Sequence, residues 1–214
     1  MTGGEHHWRI ALYLAIFTVG FNVLEGLVSV YFGFSDETIT LLGFGIDSFI
    51  EVLSGLGILS MVVRISRNAG ALRSKLEKTA LRVTGISFYL LAAGLLISAI
   101  YNLATRHEPE TTWPGVVISL ISIAIMWALV RSKRKVGRVL ASAPILADAN
   151  CTQVCIYMSS VLLISSLIFE LTGFGFFDSL GALGLTYFSI QEGRECFQKI
   201  SGSDCSCCRQ PRTL

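Results

Sequence analysis

The amino-acid sequence predicts an all-α, polytopic membrane protein with six transmembrane helices and both termini in the cytoplasm. Three observations carry this. Apolar side chains make up 52% of the 214 residues and charged ones only 15%, where soluble domains carry about 25% charge. The apolar residues gather into long runs of membrane-spanning length. The cationic residues fall almost entirely on one side of those runs. Such a composition excludes a soluble enzyme, a disordered chain and a nucleic-acid module, and a net charge of +2 is too small to argue for a polyanionic partner.

A bilayer core asks for about 20 mostly apolar residues per helix. Six segments meet this: Ile10–Phe34, Ile39–Val63, Val83–Leu103, Trp113–Val130, Ile145–Leu171 and Phe174–Ile190. The connections alternate in character. Arg64, Arg67, Arg73, Lys75, Lys78 and Arg82 lie between spans 2 and 3, and Arg131, Lys133, Arg134, Lys135 and Arg138 between spans 4 and 5. With Arg9, Arg194, Lys199, Arg209 and Arg212, this places 16 of the 17 cationic residues on one side. The opposite loops hold Asp36, Glu37, Glu108 and Glu110, with Arg106 as their one cation. The positive-inside rule therefore puts the basic loops and both termini in the cytoplasm. The basic loops themselves read as topology signals touching anionic lipid. Residues 1–195 form the expected six-helix transmembrane domain, and residues 196–214 a short cytoplasmic Cys-rich tail. No cleavable signal peptide is expected, because His6, His7 and Trp8 lead directly into a run too long for one. The six cysteines then read as reduced or metal-bound thiols.

Ionisable groups inside a span are costly and need a reason. Span 2 holds Asp47 and Glu51, spaced i,i+4, so both carboxylates share one helix face about a turn apart. Span 5 opens with Asp148 and Asn150, followed by Cys151 and Cys155 at the same i,i+4 spacing. Two helices that each present such a pair supply the four donors of a tetrahedral zinc-like site, and the ion compensates the buried charge. Two plainer readings stand beside this one. The carboxylates can share a proton and hydrogen-bond to a neighbouring helix, and a cysteine in a span is usually a small soft apolar residue. Glu25 follows Asn22 by one turn in span 1, as a proton relay or a packing contact. Asp178 reads as a structural acid at a helix N-terminus, and Glu170 as interfacial.

The strings Asn22-Val-Leu-Glu25-Gly, Gly45-Ile-Asp47-Ser48-Phe-Ile-Glu51, Ala147-Asp148-Ala149-Asn150-Cys151-Thr-Gln-Val-Cys155 and Phe177-Asp178-Ser179-Leu-Gly-Ala resemble the membrane domain of the cation diffusion facilitators over about residues 10 to 195. The resemblance implies a six-helix, usually dimeric transporter that exports Zn²⁺ or a related divalent ion in exchange for protons. It implies a transport site at Asp47, Glu51, Cys151 and Cys155; Glu25, Asn22 and Asp148 stand beside it as accessory or proton-relay candidates from their own places in the spans. It implies no enzyme activity, an integral location in a plasma or inner membrane, and metal ion, protons, lipid and a second copy as partners.

The chain departs from the family in two places. Both helix 5 positions are Cys where the family usually has His or Asp with Asp, which favours zinc, cadmium or another thiophilic ion over manganese or magnesium. Two carboxylates and two thiolates would leave a charge of about −2 around a divalent ion, so at least one thiol, assigned here to Cys155, is expected to keep its proton or stay out of the first coordination sphere. The second departure is the tail: only a short segment follows span 6, too short for the family's usual cytoplasmic domain. Its Cys205, Cys207 and Cys208 form a thiol cluster that would collect or buffer a soft metal, unless the cysteines are incidental; His6 and His7 are weaker candidates for the same task. The competing classes are a membrane thiol oxidoreductase cycling Cys151 and Cys155, and a non-transporting metal sensor or scaffold. The first is weakened by geometry, since residues four apart on a helix hold their Cβ atoms about 5–6 Å apart, too far for a disulfide.

Overall fold

The computed structural model describes residues 2–35, 39–67, 73–105, 113–172 and 176–201. Six α-helices follow one another there: α1 (Thr2–Ser35), α2 (Ile39–Arg67), α3 (Arg73–Thr105), α4 (Trp113–Val139), α5 (Ala143–Thr172) and α6 (Phe176–Ser201), with no strand among the described residues. Each expected span falls on one helix over its described residues. Four segments, His6–Phe32, Gly43–Ser66, Arg73–Tyr101 and Val116–Val139, are long and apolar enough to cross a membrane. The shortest helix, α6, has 26 residues and at about 1.5 Å rise per residue is longer than the ~30 Å hydrocarbon layer.

The helices overshoot the predicted spans mainly at the basic end. α3 starts at Arg73, α4 runs to Val139 and α6 to Ser201, because Lys, Arg, Glu and Gln are good helix formers and leaving the apolar layer does not end a helix. Contacting helices run antiparallel in the pairs α1–α2 and α3–α6. Gly26 of α1 meets Gly45 of α2 while Val19 meets Gly55, and Gly85 of α3 meets Cys196 of α6 while Tyr89 meets Gly193. At the basic end Arg73 places its guanidinium 5.5 Å from the Trp8 ring centroid and donates to the Leu140 carbonyl at 2.7 Å. This joins the starts of α1 and α3 to the α4–α5 turn.

That turn sets the register of α4 against α5. The Ser142 N–H donates to the Gly137 carbonyl at 3.0 Å and the Ala141 N–H to the Arg138 carbonyl at 3.2 Å. With Ala141 at φ 46°, this is a Schellman C-cap. Pro144 then sits in the first turn of α5, where its missing N–H costs nothing. Close approach of α1 to α2 relies on glycine: a Cβ on Gly45 would lie 2.7 Å from Val30 Cγ2 and 3.1 Å from the Gly26 carbonyl oxygen.

Polarity is arranged inside out. On α1, Phe17, Leu24, Leu27 and Tyr31 are exposed, whereas Thr18, Asn22, Glu25 and Ser29 are buried. Water-facing surfaces have the opposite pattern; a bundle in lipid turns its ionisable groups inward. An apolar cluster around Ala15, Met61, Val62, Ala80 and Val136 and a second around Phe88, Leu91, Val154 and Met158 pack beside this polar interior.

Candidate functional site

The polar interior is built by one face of each of four helices. On α2 the 3–4 spacing of Phe44, Asp47, Ser48, Glu51 and Ser54 turns all five inward, Asp47 at 8% exposure and Glu51 at 1%. On α5 the same spacing buries Asp148, Cys151, Thr152 and Cys155. Both sulfurs therefore face the bundle and not the surrounding medium, and both are free thiols.

Hydrogen bonds tie these faces together. The Thr152 hydroxyl donates to Glu51 Oε1. Ser54 donates to Asp148 Oδ1 at 2.7 Å and shares a hydroxyl pair with Thr84 of α3 at 3.1 Å. Glu51 Oε2 is buried without a hydrogen-bond partner. Cys155 lies within electrostatic reach of Asp47 and Glu51, and Cys151 of Glu51 and Asp148. Asp47 points toward α3 at Gly94, where a Cβ would stand 3.8 Å from its Oδ1. The four expected ligands thus share one interior, but among the described residues no three His, Cys, Asp or Glu side chains close into a metal-holding group.

One expectation is corrected. Lys133 is not a loop charge at the membrane surface: it is 2% exposed on α4. Its ammonium is 2.9 Å from Asp148 Oδ2 and donates to Thr152 Oγ1 at 2.8 Å. The cause is the register set by the α4–α5 turn, which brings Lys133 level with Asp148. Asp148, expected as an accessory or relay group, is ion-paired with this lysine. The chain Lys133–Thr152–Glu51 runs from this ion pair to the α2 carboxylates. Sequence reasoning missed Lys133, Thr152 and Ser54. The signal was present: Ser119, Ser122, Met126, Leu129, Lys133, Val136 and Leu140 are all buried at 3–4 spacing along α4, and Lys133 belongs to that stripe while Arg131, Lys135 and Arg138 do not.

The accessory candidates fall on a second cluster. Glu25 receives hydrogen bonds from Ser48 of α2 at 3.1 Å and from Ser122 of α4. Asn22 is 1% exposed, and neither polar atom of its amide has a partner. Nearer the basic end, Asn150 donates to Glu192 of α6 at 2.8 Å and accepts from Arg134 at 3.2 Å. His6 is exposed and His7 half-buried, their rings 5.8 Å apart. The tail cysteines Cys205, Cys207 and Cys208, the side chains of Asp178 and Glu170, and the loop residues Asp36, Glu37, Arg106, Glu108 and Glu110 lie outside the described residues.

Six helices with lipid-facing apolar surfaces and carboxylates and thiols turned inward form a membrane bundle suited to cations. The family model of the cation efflux transmembrane domain matches residues 11–200. The match spans nearly the whole chain, so this integral, multi-pass membrane protein belongs to the cation efflux family of cation transporters.

Proposed function

We propose that the protein exports a thiophilic divalent cation, zinc foremost and cadmium beside it, in exchange for protons. The cargo ion is held by Asp47 and Glu51 of α2 with Cys151 of α5, while Cys155 keeps its proton or stands outside the first coordination sphere. The observation that carries this reading is the burial of both pairs in one interior, with Glu51 Oε2 left without a hydrogen-bond partner. A buried carboxylate oxygen without a donor is poorly solvated and gains most from a cation.

Ligands must be deprotonated to bind metal. Entry from the basic, cytoplasmic end therefore displaces protons, and their return from the opposite side releases the ion. Alternating access follows from rocking of the bundle around this interior. The dominant sulfur and carboxylate donors select for borderline-soft ions. The working unit is a homodimer in a plasma or inner membrane, and the tail thiols Cys205, Cys207 and Cys208 collect the metal on the cytoplasmic side.

Reconstituted vesicles test this with zinc, cadmium, cobalt, iron, manganese and copper under an imposed pH gradient. Zinc and cadmium flux should exceed manganese flux and respond to the gradient, and Asp47→Ala should abolish it. Stoichiometric zinc binding without flux would instead make the protein a sensor. Flux that ignores the gradient would remove the proton coupling.

A further inference from the structure

Among the described residues four carboxylates are buried: Glu25, Asp47, Glu51 and Asp148. Asp148 has a resident counter-ion in Lys133 at 2.9 Å. Asp47 and Glu51 are the pair assigned to the cargo metal. Glu25 belongs to neither arrangement. It is 5% exposed, and no described Lys, Arg or His pairs with it. Among the described residues two hydroxyls, from Ser48 and Ser122, solvate its oxygens. Two neutral donors do not compensate a carboxylate taken out of water.

Asn22 adds an independent sign. It lies three residues before Glu25 on the same inward face of α1, it is 1% exposed, and both atoms of its amide lack partners. Ser29, one turn beyond Glu25, is also buried with its hydroxyl unpartnered. Buried polar groups are nearly always satisfied, so orphans on both sides of one uncompensated carboxylate point to a small ligand between them. The donors are all oxygen apart from the Asn22 amide nitrogen, without sulfur or imidazole. That chemistry suits a hard monovalent cation and not the soft cargo.

We propose that Glu25, Asn22, Ser48 and Ser122 form a second cation site, separate from the metal ligands, which holds the monovalent ion exchanged against the metal. This rests on the exchange reading above and replaces competition for one set of ligands by two coupled sites. Coupling runs through α2, where Ser48 on the Glu25 side is next to Asp47 on the metal side, and through the charge of Glu51, which acts on Glu25. The charged group facing Glu25 from α2 is Glu51. On α4 the nearest charges among the described residues, Arg131 and Lys133, lie more than two turns inward of Ser122. Within two turns of Glu25, described α1 residues add the exposed phenol of Tyr31 as the one other ionisable group.

The experiment uses the full chain, cadmium as the metal probe, and Glu25→Gln. Cadmium affinity of the detergent-solubilised protein should stay within about threefold of the parent. Cadmium flux in vesicles should lose its response to the driving gradient, and the number of monovalent ions moved per cadmium should fall by one. A pH gradient without sodium and a sodium gradient at fixed pH distinguish a proton from a sodium ion as the occupant; a response of the parent protein to either one, lost in Glu25→Gln, supports the site. Ser122→Ala, which keeps the carboxylate, should move the half-saturating concentration of that ion about tenfold, because hydrogen bonds to charged groups are strong, with cadmium affinity unmoved. A gradient response that survives in Glu25→Gln overturns the second site alone. Loss of cadmium binding in Glu25→Gln, with the protein folded, also overturns it, since Glu25 would then be a metal ligand. Flux of the parent protein that ignores both gradients overturns the exchange reading and this site together.

Discussion

Replacing Lys133 by Met probes the buried ion pair. Lys133 and Asp148 are 3% and 2% exposed at their side chains, with nitrogen and oxygen 2.9 Å apart. At an effective dielectric constant of about 20, that separation corresponds to roughly 6 kcal/mol of attraction. Desolvation of two ions offsets most of it, at several kcal/mol each. The pair as a whole is therefore worth little compared with apolar residues of the same volume, whereas half of it is costly. Lys133→Met leaves Asp148 charged and buried with Ser54 as its one remaining side-chain donor among the described residues, and should cost about 3–5 kcal/mol. For a chain of this length that lowers Tm by roughly 6–20 °C, read by tryptophan fluorescence during heating in detergent. Adding Asp148→Asn removes the orphaned charge while keeping an acceptor for Ser54, and should restore at least half of the loss. If Lys133→Met lowers Tm by no more than a surface substitution does, or if the double variant is less stable than the single one, the argument from an unpaired buried charge is wrong.

The remaining predictions concern the scaffold. Ala141 holds a φ of 46°, which costs an L-residue about 1–2 kcal/mol, so Ala141→Gly should stabilise the protein by about 0.5–1 kcal/mol; a lower Tm would refute the C-cap reading. Gly45→Ala should cost about 1–3 kcal/mol by overpacking, because its Cβ would meet both Val30 Cγ2 and the Gly26 backbone. Val30→Ala should rescue it only partly, and full rescue would show that the backbone contact is immaterial. Burial pushes the Cys196 thiol up to about 12, outside the predicted spans and at the α3–α6 contact. Since the thiolate is the reactive form, only about one molecule in ten thousand is reactive at pH 8, against roughly a quarter for a free cysteine. Maleimide should leave Cys196 unlabelled there and gain access as the pH rises toward 12. Labelling at pH 8 as fast as that of an unhindered cysteine would contradict this environment.

Much of the architecture was legible because lipid imposes a coarse rule that hydropathy reads directly. A run such as Ile10–Phe34 has to be one helix, and α1 contains it. Less legible was which residues face inward, since summed hydropathy discards the angle around the helix. Lys133 shows the consequence. Among five cations in eight residues it looks like any surface charge, and only its 3–4 relation to Ser122, Met126 and Leu129 distinguishes it. The helix ends were missed for a related reason: Arg131 to Arg138 end the apolar run but not the helix. That Asp47 with Glu51, and Cys151 with Cys155, each share a buried face was legible from their i,i+4 spacing, because that spacing fixes a shared side of the helix. Their partners were not. Thr152 reaches Glu51 across 101 residues and Ser54 reaches Asp148 across 94, and a single sequence carries no signal for pairings that depend on helix register.

Charge counting links the buried lysine to the thiols. With its four buried carboxylates ionised, one lysine and neutral thiols, the described interior carries three negative charges. The divalent ion proposed at Asp47 and Glu51 and the monovalent ion proposed at Glu25 would neutralise it. Each ionised thiol would add a charge that neither cation balances, in surroundings where single uncompensated charges are already costly. The interior therefore tolerates one metal-bound thiolate better than two, and Cys151 is the thiol assigned to that role. Ultraviolet absorption from sulfur-to-cadmium charge transfer reads this directly. The protein should develop the intensity of a single Cd–S bond, release at most one thiol proton per cadmium bound, lose the band in Cys151→Ser and keep it in Cys155→Ser. A band of twofold intensity, halved by either substitution, would mean that both sulfurs coordinate as thiolates, and that the interior holds a cation beyond Lys133 and the two ions counted here.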